Sequence, residues 1–125
     1  MSFSVFLPGA CELRPPQRGD QRRRLTPLSD DLHAMRGNIW HLPPGARGTR
    51  HLEHAQEEMF VVLEGTATLL LGDPPERVVL PQGGVVVVGT DTGQQIRNEA
   101  GDELVVLVVG APPETGRAEL LPDVD

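Results

Sequence analysis

Residues 51–58, His-Leu-Glu-His-Ala-Gln-Glu-Glu, place two histidines and three glutamates within eight positions, directly before an apolar run. Imidazole nitrogens and carboxylate oxygens bind divalent transition metals, and the same groups transfer protons. Alternate residues of a β-strand point to the same face, so His51 and Glu53 share one face and His54 lies on the other. Two neighbouring strands can therefore direct His51, Glu53 and Glu58 to one point inside a barrel.

The residue types that are missing restrict the chemistry further. The chain has no Lys and no Tyr, and its three serines lie far from this stretch, at positions 2, 4 and 29. Schiff-base chemistry, a phosphate-loop lysine and a tyrosine acid are therefore excluded. An enzyme built from this chain would need a bound metal or a Glu/His acid–base pair, with Glu58 or His54 as the proton-transfer group.

The charge of the chain is unevenly distributed. The net charge is −7, which argues against nucleic acid as a partner, yet residues 1–50 carry eight Arg and only four acidic residues. We interpret the run Gln-Arg-Arg-Arg at 21–24 as part of a basic arm on an acidic body, in preference to a phosphate-binding patch. The longest apolar stretch is shorter than the ~18 residues of a membrane span, and no secretory signal is recognisable. We expect a soluble, cytoplasmic protein with no membrane partner.

Short β-branched runs separated by turn residues predict an all-β, antiparallel fold. Turn sequences such as Pro-Pro-Gly and Gly-Asp-Pro-Pro separate the runs, and no window has a helical period. We expect a basic N-terminal arm at 1–33 with one short strand at 3–7, a barrel at 34–112 and a C-terminal tail at 113–125. The predicted barrel strands lie at about 34–42, 47–53, 58–64, 66–71, 76–80, 84–88, 93–98 and 103–109.

Two spacing patterns resemble the motifs of the cupin family. The first family motif is G-x5-H-x-H-x3 or 4-E-x6-G, and this chain has Gly45, His51, Glu53, Glu58 and Gly65 at those positions. The second is G-x5-P-x-G-x2-H-x3-N, and here the equivalent residues are Gly83, Gly89, Asp91, Gln94 and Asn98. The resemblance extends over about residues 38–110. It implies a double-stranded β-helix, the jelly-roll barrel of that family.

The resemblance also implies a metal site. Family members with an intact site hold a transition metal with three His and one Glu. Carried over to this chain, the ligand positions are His51, Glu53, Glu58 and Gln94, and the expected ion is Zn, Fe, Mn or Ni. A competing register, with a bulge at 52–54, would turn His54 inward in place of Glu53.

Three classes of function remain open at this point. The first is a metal-dependent enzyme acting on a small organic molecule, of the oxygenase, isomerase or decarboxylase class. The second is a metal-free small-molecule binding or sensing module with a degenerate cupin site, and the third is a mainly structural dimer. Met59, Val61 and Leu63 form an apolar outer face that needs covering, either by the basic arm or by a second subunit. A homodimer is expected, because small cupins commonly pair in this way.

Overall fold

The computed structural model of the protein describes residues 1–113 and 118–124, and the regular secondary structure within them is almost entirely β-strand. The one helical element within them is a 3₁₀ turn at Ser29–Asp31. None of the described residues forms a helix with the length and apolar character needed to cross a membrane. The strands are β1 Arg24–Pro27, β2 Arg36–Leu42, β3 His51–Glu53, β4 Glu57–Glu64, β5 Ala67–Leu71, β6 Glu76–Leu80, β7 Val85–Val88, β8 Gln94–Arg97, β9 Leu104–Ala111 and β10 Ala118–Leu120.

The strands form two five-stranded antiparallel sheets. The first sheet has the order β1-β2-β9-β4-β7, and the second has the order β10-β3-β8-β5-β6. Side chains alternate between the two faces of each strand, as on β4, where Phe60 and Val62 are buried while Met59 and Leu63 are exposed. The sequence prediction of an antiparallel jelly-roll barrel is confirmed.

The apolar core lies between the two sheets and occupies one part of the barrel interior. Leu42, Val62, Leu69, Leu104 and Val106 are almost completely buried and pack together with smaller residues of the same cluster. Burial of a large aliphatic side chain contributes roughly 1.5–3 kcal/mol, so these residues dominate the stability of the barrel. Polar side chains continue the same inward-facing rows beyond this core, as Glu58 does before Phe60 and Val62 on β4.

The turn between β4 and β5 requires glycine. Gly65 has a φ of 83°, and a Cβ atom at this position would clash with the carbonyl oxygen of Glu103. Both constraints exclude an ordinary side chain. Gly65 is the last glycine of the first family motif, so the structure gives a physical reason for its place in the pattern.

Strand pairing extends beyond the predicted limits of the barrel. Arg24–Pro27, within the predicted arm, pairs with β2, and Ala118–Leu120, within the predicted tail, pairs with β3. The strand predicted at 3–7 does not form, because these residues lie at the surface with no neighbouring strand to pair with. Part of the predicted tail, residues 114–117 and 125, lies outside the described residues.

The last described residues cover the outer face of the second sheet. Arg50 donates to the carbonyl oxygen of Pro122 at 2.9 Å, and Gln95 donates to a carboxylate oxygen of Asp123 at 3.1 Å. Arg97 donates to the carbonyl oxygen of Val124. These contacts explain why three polar residues that face outward from the barrel are nevertheless buried.

Candidate metal and ligand site

Four polar residues meet inside the barrel, and we call them the polar cluster: His51, Glu53, Glu58 and Gln94. His51 and Gln94 lie directly opposite each other on β3 and β8 in the second sheet, and Glu53 is two residues farther along β3. Glu58 comes from β4 in the first sheet. The cluster therefore closes across the barrel interior, and each sheet contributes part of it.

The distances within the polar cluster are short. The Nε2 atom of His51 lies 3.5 Å from Oε2 of Glu53 and 3.7 Å from Oε1 of Glu58. The side-chain amide of Gln94 donates to Oε1 of Glu58 at 2.7 Å. Nδ1 of His51 lies 2.8 Å from the carbonyl oxygen of Thr49, so the Nδ1–H group donates there. This bond leaves Nε2 as the nitrogen that faces the two carboxylates.

Burial and charge shift the protonation equilibria of two cluster residues. Burial raises the pKa of Glu53, and the nearby charge of Glu58 raises it further. Burial opposes the charged form of His51, but the close approach of Glu58, the hydrogen bond to Thr49 and the charges of both carboxylates outweigh it and raise the pKa of His51. Two carboxylates face a single imidazole. This arrangement favours the protonated form of Glu53 or the binding of an additional cation between the carboxylates.

The donor set fits a divalent metal. One ligand atom from each of His51, Glu53 and Glu58 can be chosen so that all three lie within 4.8 Å of one another. Two ligands bound tetrahedrally at about 2.1 Å from an ion are roughly 3.4 Å apart, so a modest contraction would bring the three groups to a common ion. Among the described residues, Oε1 of Gln94 is buried and has no hydrogen-bond partner. It is available as a fourth ligand atom, and would be the third oxygen donor beside the two carboxylates.

The register that forms places Glu53, and not His54, in the cluster. The ring of His54 is exposed, with Nδ1 2.6 Å from Asp91 and Nε2 3.1 Å from Glu119. These two carboxylates raise the pKa of His54. The structure does not bring His54 to the other predicted site residues, and the bulged alternative for residues 52–54 is not observed. Asp91 has a φ of 60°, which explains why the second family motif has glycine there.

The polar cluster lies in the wall of a cavity of about 460 Å³. Sites for small molecules have volumes of about 300–1,000 Å³. Trp40, Phe60 and Val108 provide apolar surface, whereas four arginines from the first 36 residues provide positive charge: Arg14, Arg18, Arg23 and Arg36. The sequence interpretation missed these arginines as pocket residues. The concentration of arginine in the first half of the chain was the feature of the sequence that could have indicated them.

The residues that define the fold and the cluster lie within a recognised domain. Residues 38–110 match the family model described as Cupin domain, which covers more than half of the chain. The chain belongs to the cupin family. Among curated proteins, no sequence matches this cupin.

Solved structures agree with this assignment. A sugar phosphate isomerase of the cupin superfamily from Silicibacter pomeroyi DSS-3 is 26% identical, with a TM-score of 0.71 over 81% of this chain and 71% of that chain. A provisionally described sugar phosphate isomerase from Acidithiobacillus ferrooxidans is 28% identical with a TM-score of 0.64, over 70% of this chain and 58% of that chain. The polyketide cyclase RemF from Streptomyces resistomycificus is 18% identical and resembles this cupin in fold, with a TM-score of 0.80 over 99% and 89% of the two chains.

Proposed function

We propose that this cupin binds a divalent transition metal through His51, Glu53, Glu58 and Gln94. The metal would act in a reaction of a small organic ligand bound in the adjacent cavity. The observation that carries the proposal is the buried Oε1 of Gln94, which has no partner among the described residues and belongs to the same cluster as one imidazole and two carboxylates, groups that can bind a metal. A buried acceptor without a partner costs about 1–3 kcal/mol, and a bound cation would remove that cost.

The reaction class that we propose is isomerisation. The bound ion would supply Lewis acidity, polarising a carbonyl or hydroxyl oxygen of the substrate. Gln94 holds one oxygen of Glu58 through its amide, which leaves the second oxygen of that carboxylate to accept and return a substrate proton. The two sugar phosphate isomerase structures that are 26% and 28% identical to this chain support this class.

Metal content and affinity test the proposal directly. Protein purified without an affinity tag or chelator should contain a transition metal, measured by mass spectrometry of the digested sample. Calorimetric titration of metal-stripped protein should then give saturable binding of Zn²⁺ or Mn²⁺. Glu58→Gln should weaken this binding by about tenfold or more, because it removes a charged ligand.

A matched variant controls for the loss of charge. Glu57 lies next to Glu58 on β4 but is exposed on the opposite face, so Glu57→Gln should leave metal affinity unchanged. Gln94→His should tighten binding, because imidazole nitrogen is the better ligand for late first-row metals. Unchanged affinity in both Glu58→Gln and Gln94→His would refute a shared site. In that case the cavity would serve a metal-free binding module.

We also propose that the protein is a homodimer, paired through the outer face of the first sheet. On this face Met59 and Val61 lie opposite Val87 and Val85, and Leu63 continues the row. Val87 is 67% exposed and Val85 is 51% exposed, and both lie on β7, the edge strand of this sheet, where they extend the apolar row of β4. A second subunit that covers this face would bury a continuous apolar surface. Light scattering at micromolar concentration should therefore give the mass of a dimer.

A further inference from the structure

Arg23 is a buried cation in the wall of the cavity. Its side chain is 7% exposed, and its guanidinium carbon lies 4.7 Å from the centroid of the Trp40 ring. Nε donates to the carbonyl oxygen of Asp20 at 3.1 Å, and Nη2 donates to the carbonyl oxygen of Arg18 at 2.7 Å. The guanidinium is thus fixed by an aromatic ring and two backbone carbonyls.

The charge of Arg23 is not neutralised by a carboxylate in contact with it. The nearest acidic residue is Asp20, but its carboxylate accepts hydrogen bonds from Arg22, at 3.0 and 2.6 Å. Burial lowers the pKa of Arg23, and the more distant charge of Asp20 only partly opposes this shift. A buried cation without a paired anion is costly, and an anion in the cavity would compensate it.

Arg36 provides a second cation on the same side of the barrel as Glu58. Arg36 lies opposite Gly110 on β9, and Gly110 lies opposite Glu58 on β4. Directly opposed residues project to the same face, so Arg36 and Glu58 belong to one row separated by two strand spacings, roughly 10 Å. Gly110 has no side chain between them, and the amide of Gln56 occupies the space where a Cβ atom would lie.

Two of the cavity arginines are free to bind a ligand. Arg14 is already paired with Glu12 and Asp30. By contrast, the guanidinium groups of Arg18 and Arg36 form no hydrogen bond or ion pair with any other described residue, and both line the cavity. Arginine presents several N–H donors in a planar arrangement that matches phosphate and carboxylate oxygens.

We propose that Arg18, Arg23 and Arg36 form an oxyanion subsite in the cavity, which binds the phosphate or carboxylate group of a small polyhydroxy ligand. All three arginines line the cavity that contains the polar cluster, and Arg36 lies roughly 10 Å from Glu58 in one row, within reach of a single small ligand. The far end of the ligand, with its hydroxyl or carbonyl oxygens, would then reach His51 and Glu58. That second contact rests on the proposed metal-dependent function, whereas the oxyanion subsite does not.

Titration of metal-stripped protein with inorganic phosphate, ribose 5-phosphate, ribonate and ribose tests the subsite. Trp40 is the only tryptophan of the chain and lies against Arg23, so its fluorescence reports binding locally, and calorimetry gives the affinity. Ribose 5-phosphate should bind at least about tenfold more tightly than ribose, because only the phosphorylated sugar carries the anionic group that the arginines contact. Ribonate carries a carboxylate and no phosphate, so its affinity shows whether the subsite prefers a carboxylate or a phosphate group.

Substitution of the two exposed arginines locates the subsite without disturbing the buried Arg23. Arg36→Gln and Arg18→Gln should each weaken phosphate binding by about threefold or more, and the double variant by about tenfold or more. Arg77→Gln removes the same charge from β6, outside the cavity, and should change nothing beyond general charge screening.

Two results would overturn the subsite. One is equal binding, or no binding, of ribose 5-phosphate and ribose, and the other is an Arg77→Gln effect as large as that of Arg36→Gln. A preference for phosphate that depends on Arg36, in a wild-type protein that calorimetry shows to bind neither Zn²⁺ nor Mn²⁺, would support the subsite. The same result would refute the proposed metal-dependent function, so the two failures can be distinguished.

Discussion

Replacement of Glu53 by Gln should stabilise the metal-free protein while it weakens metal binding. Glu53 is 7% exposed and shares the single imidazole of His51 with Glu58. Gln has nearly the same size and shape as Glu, so the substitution leaves no cavity. It removes the charge repulsion with Glu58 and places an amide donor beside a carboxylate acceptor.

The expected gain follows from the cost of a buried charge that lacks a full partner. Leaving a buried polar group poorly compensated costs about 1–3 kcal/mol, and we expect Glu53→Gln to recover about 1–2 kcal/mol at neutral pH. For a chain of this length that corresponds to a rise in Tm of about 4–8 °C. Glu57→Gln, which removes an exposed charge from the neighbouring strand, should change Tm by much less.

The stability difference between wild type and Glu53→Gln should depend on pH, and the direction of that dependence follows from the pKa of Glu53. Because the folded pKa of Glu53 is raised, stability from its protonated form is fully present below the unfolded pKa and is lost as pH rises through the folded pKa. Wild type and Glu53→Gln should therefore have equal Tm values near pH 4, and the variant should become more stable as pH increases. Both proteins should be measured after chelator treatment and dialysis, by differential scanning calorimetry.

Addition of metal should make the Tm of wild type higher than that of Glu53→Gln, the reverse of the order expected without metal. Excess Zn²⁺ should raise the Tm of wild type by mass action and raise that of Glu53→Gln far less. If the variant is less stable than wild type at every pH, Glu53 forms a favourable buried ion pair and the reasoning from charge repulsion is wrong. An equal Zn²⁺ shift in both proteins would show that Glu53 is not a ligand.

Four further substitutions test separate parts of the structure. Val61→Arg should convert the proposed dimer to a monomer in light scattering, because it places a charge within the apolar outer face. Leu69→Ala should lower the free energy of unfolding by about 2–5 kcal/mol in urea titrations, because Leu69 is fully buried in the core. Gly65→Ala should cost more than 1 kcal/mol in the same titrations, since it combines a positive φ with a clash. His54→Ala should leave metal affinity unchanged in calorimetry, because its ring lies outside the polar cluster.

The barrel was predictable from the sequence because its signals are local. Runs of valine and leucine alternate with glycine and proline turns, and this pattern alone indicates short antiparallel strands. The strands at 24–27 and 118–120 carry no comparable signal. Arg24–Pro27 contains a charged residue and a proline, and it becomes a strand because β2 offers a free edge to pair with. Pairing of that kind depends on the tertiary structure, which no local pattern contains.

The polar cluster was predictable only in part, for a related reason. Strand alternation points His51 and Glu53 of β3, and Glu58 of β4, into the barrel as long as the register has no bulge, and the structure has none between His51 and Glu53. The cavity arginines lie on loops and strand ends, where sequence gives no direction for the side chain. The uneven distribution of charge was visible, but the arm was interpreted as lying on an acidic surface. Instead, part of it lines the cavity.

The polar cluster and the apolar core lie next to each other in this barrel, but substitutions in the two regions should affect different properties. On β4, Glu58 is followed on the same face by Phe60 and Val62, so one inward row passes from the cluster directly into the apolar core. Substitutions in the core should therefore change unfolding without changing metal affinity, provided that the protein is still folded at the temperature of measurement. Substitutions in the cluster should change affinity and, in the metal-free state, stabilise the fold. Opposite signs in the two regions would indicate that burial of these charges is retained for ligand binding and opposes stability.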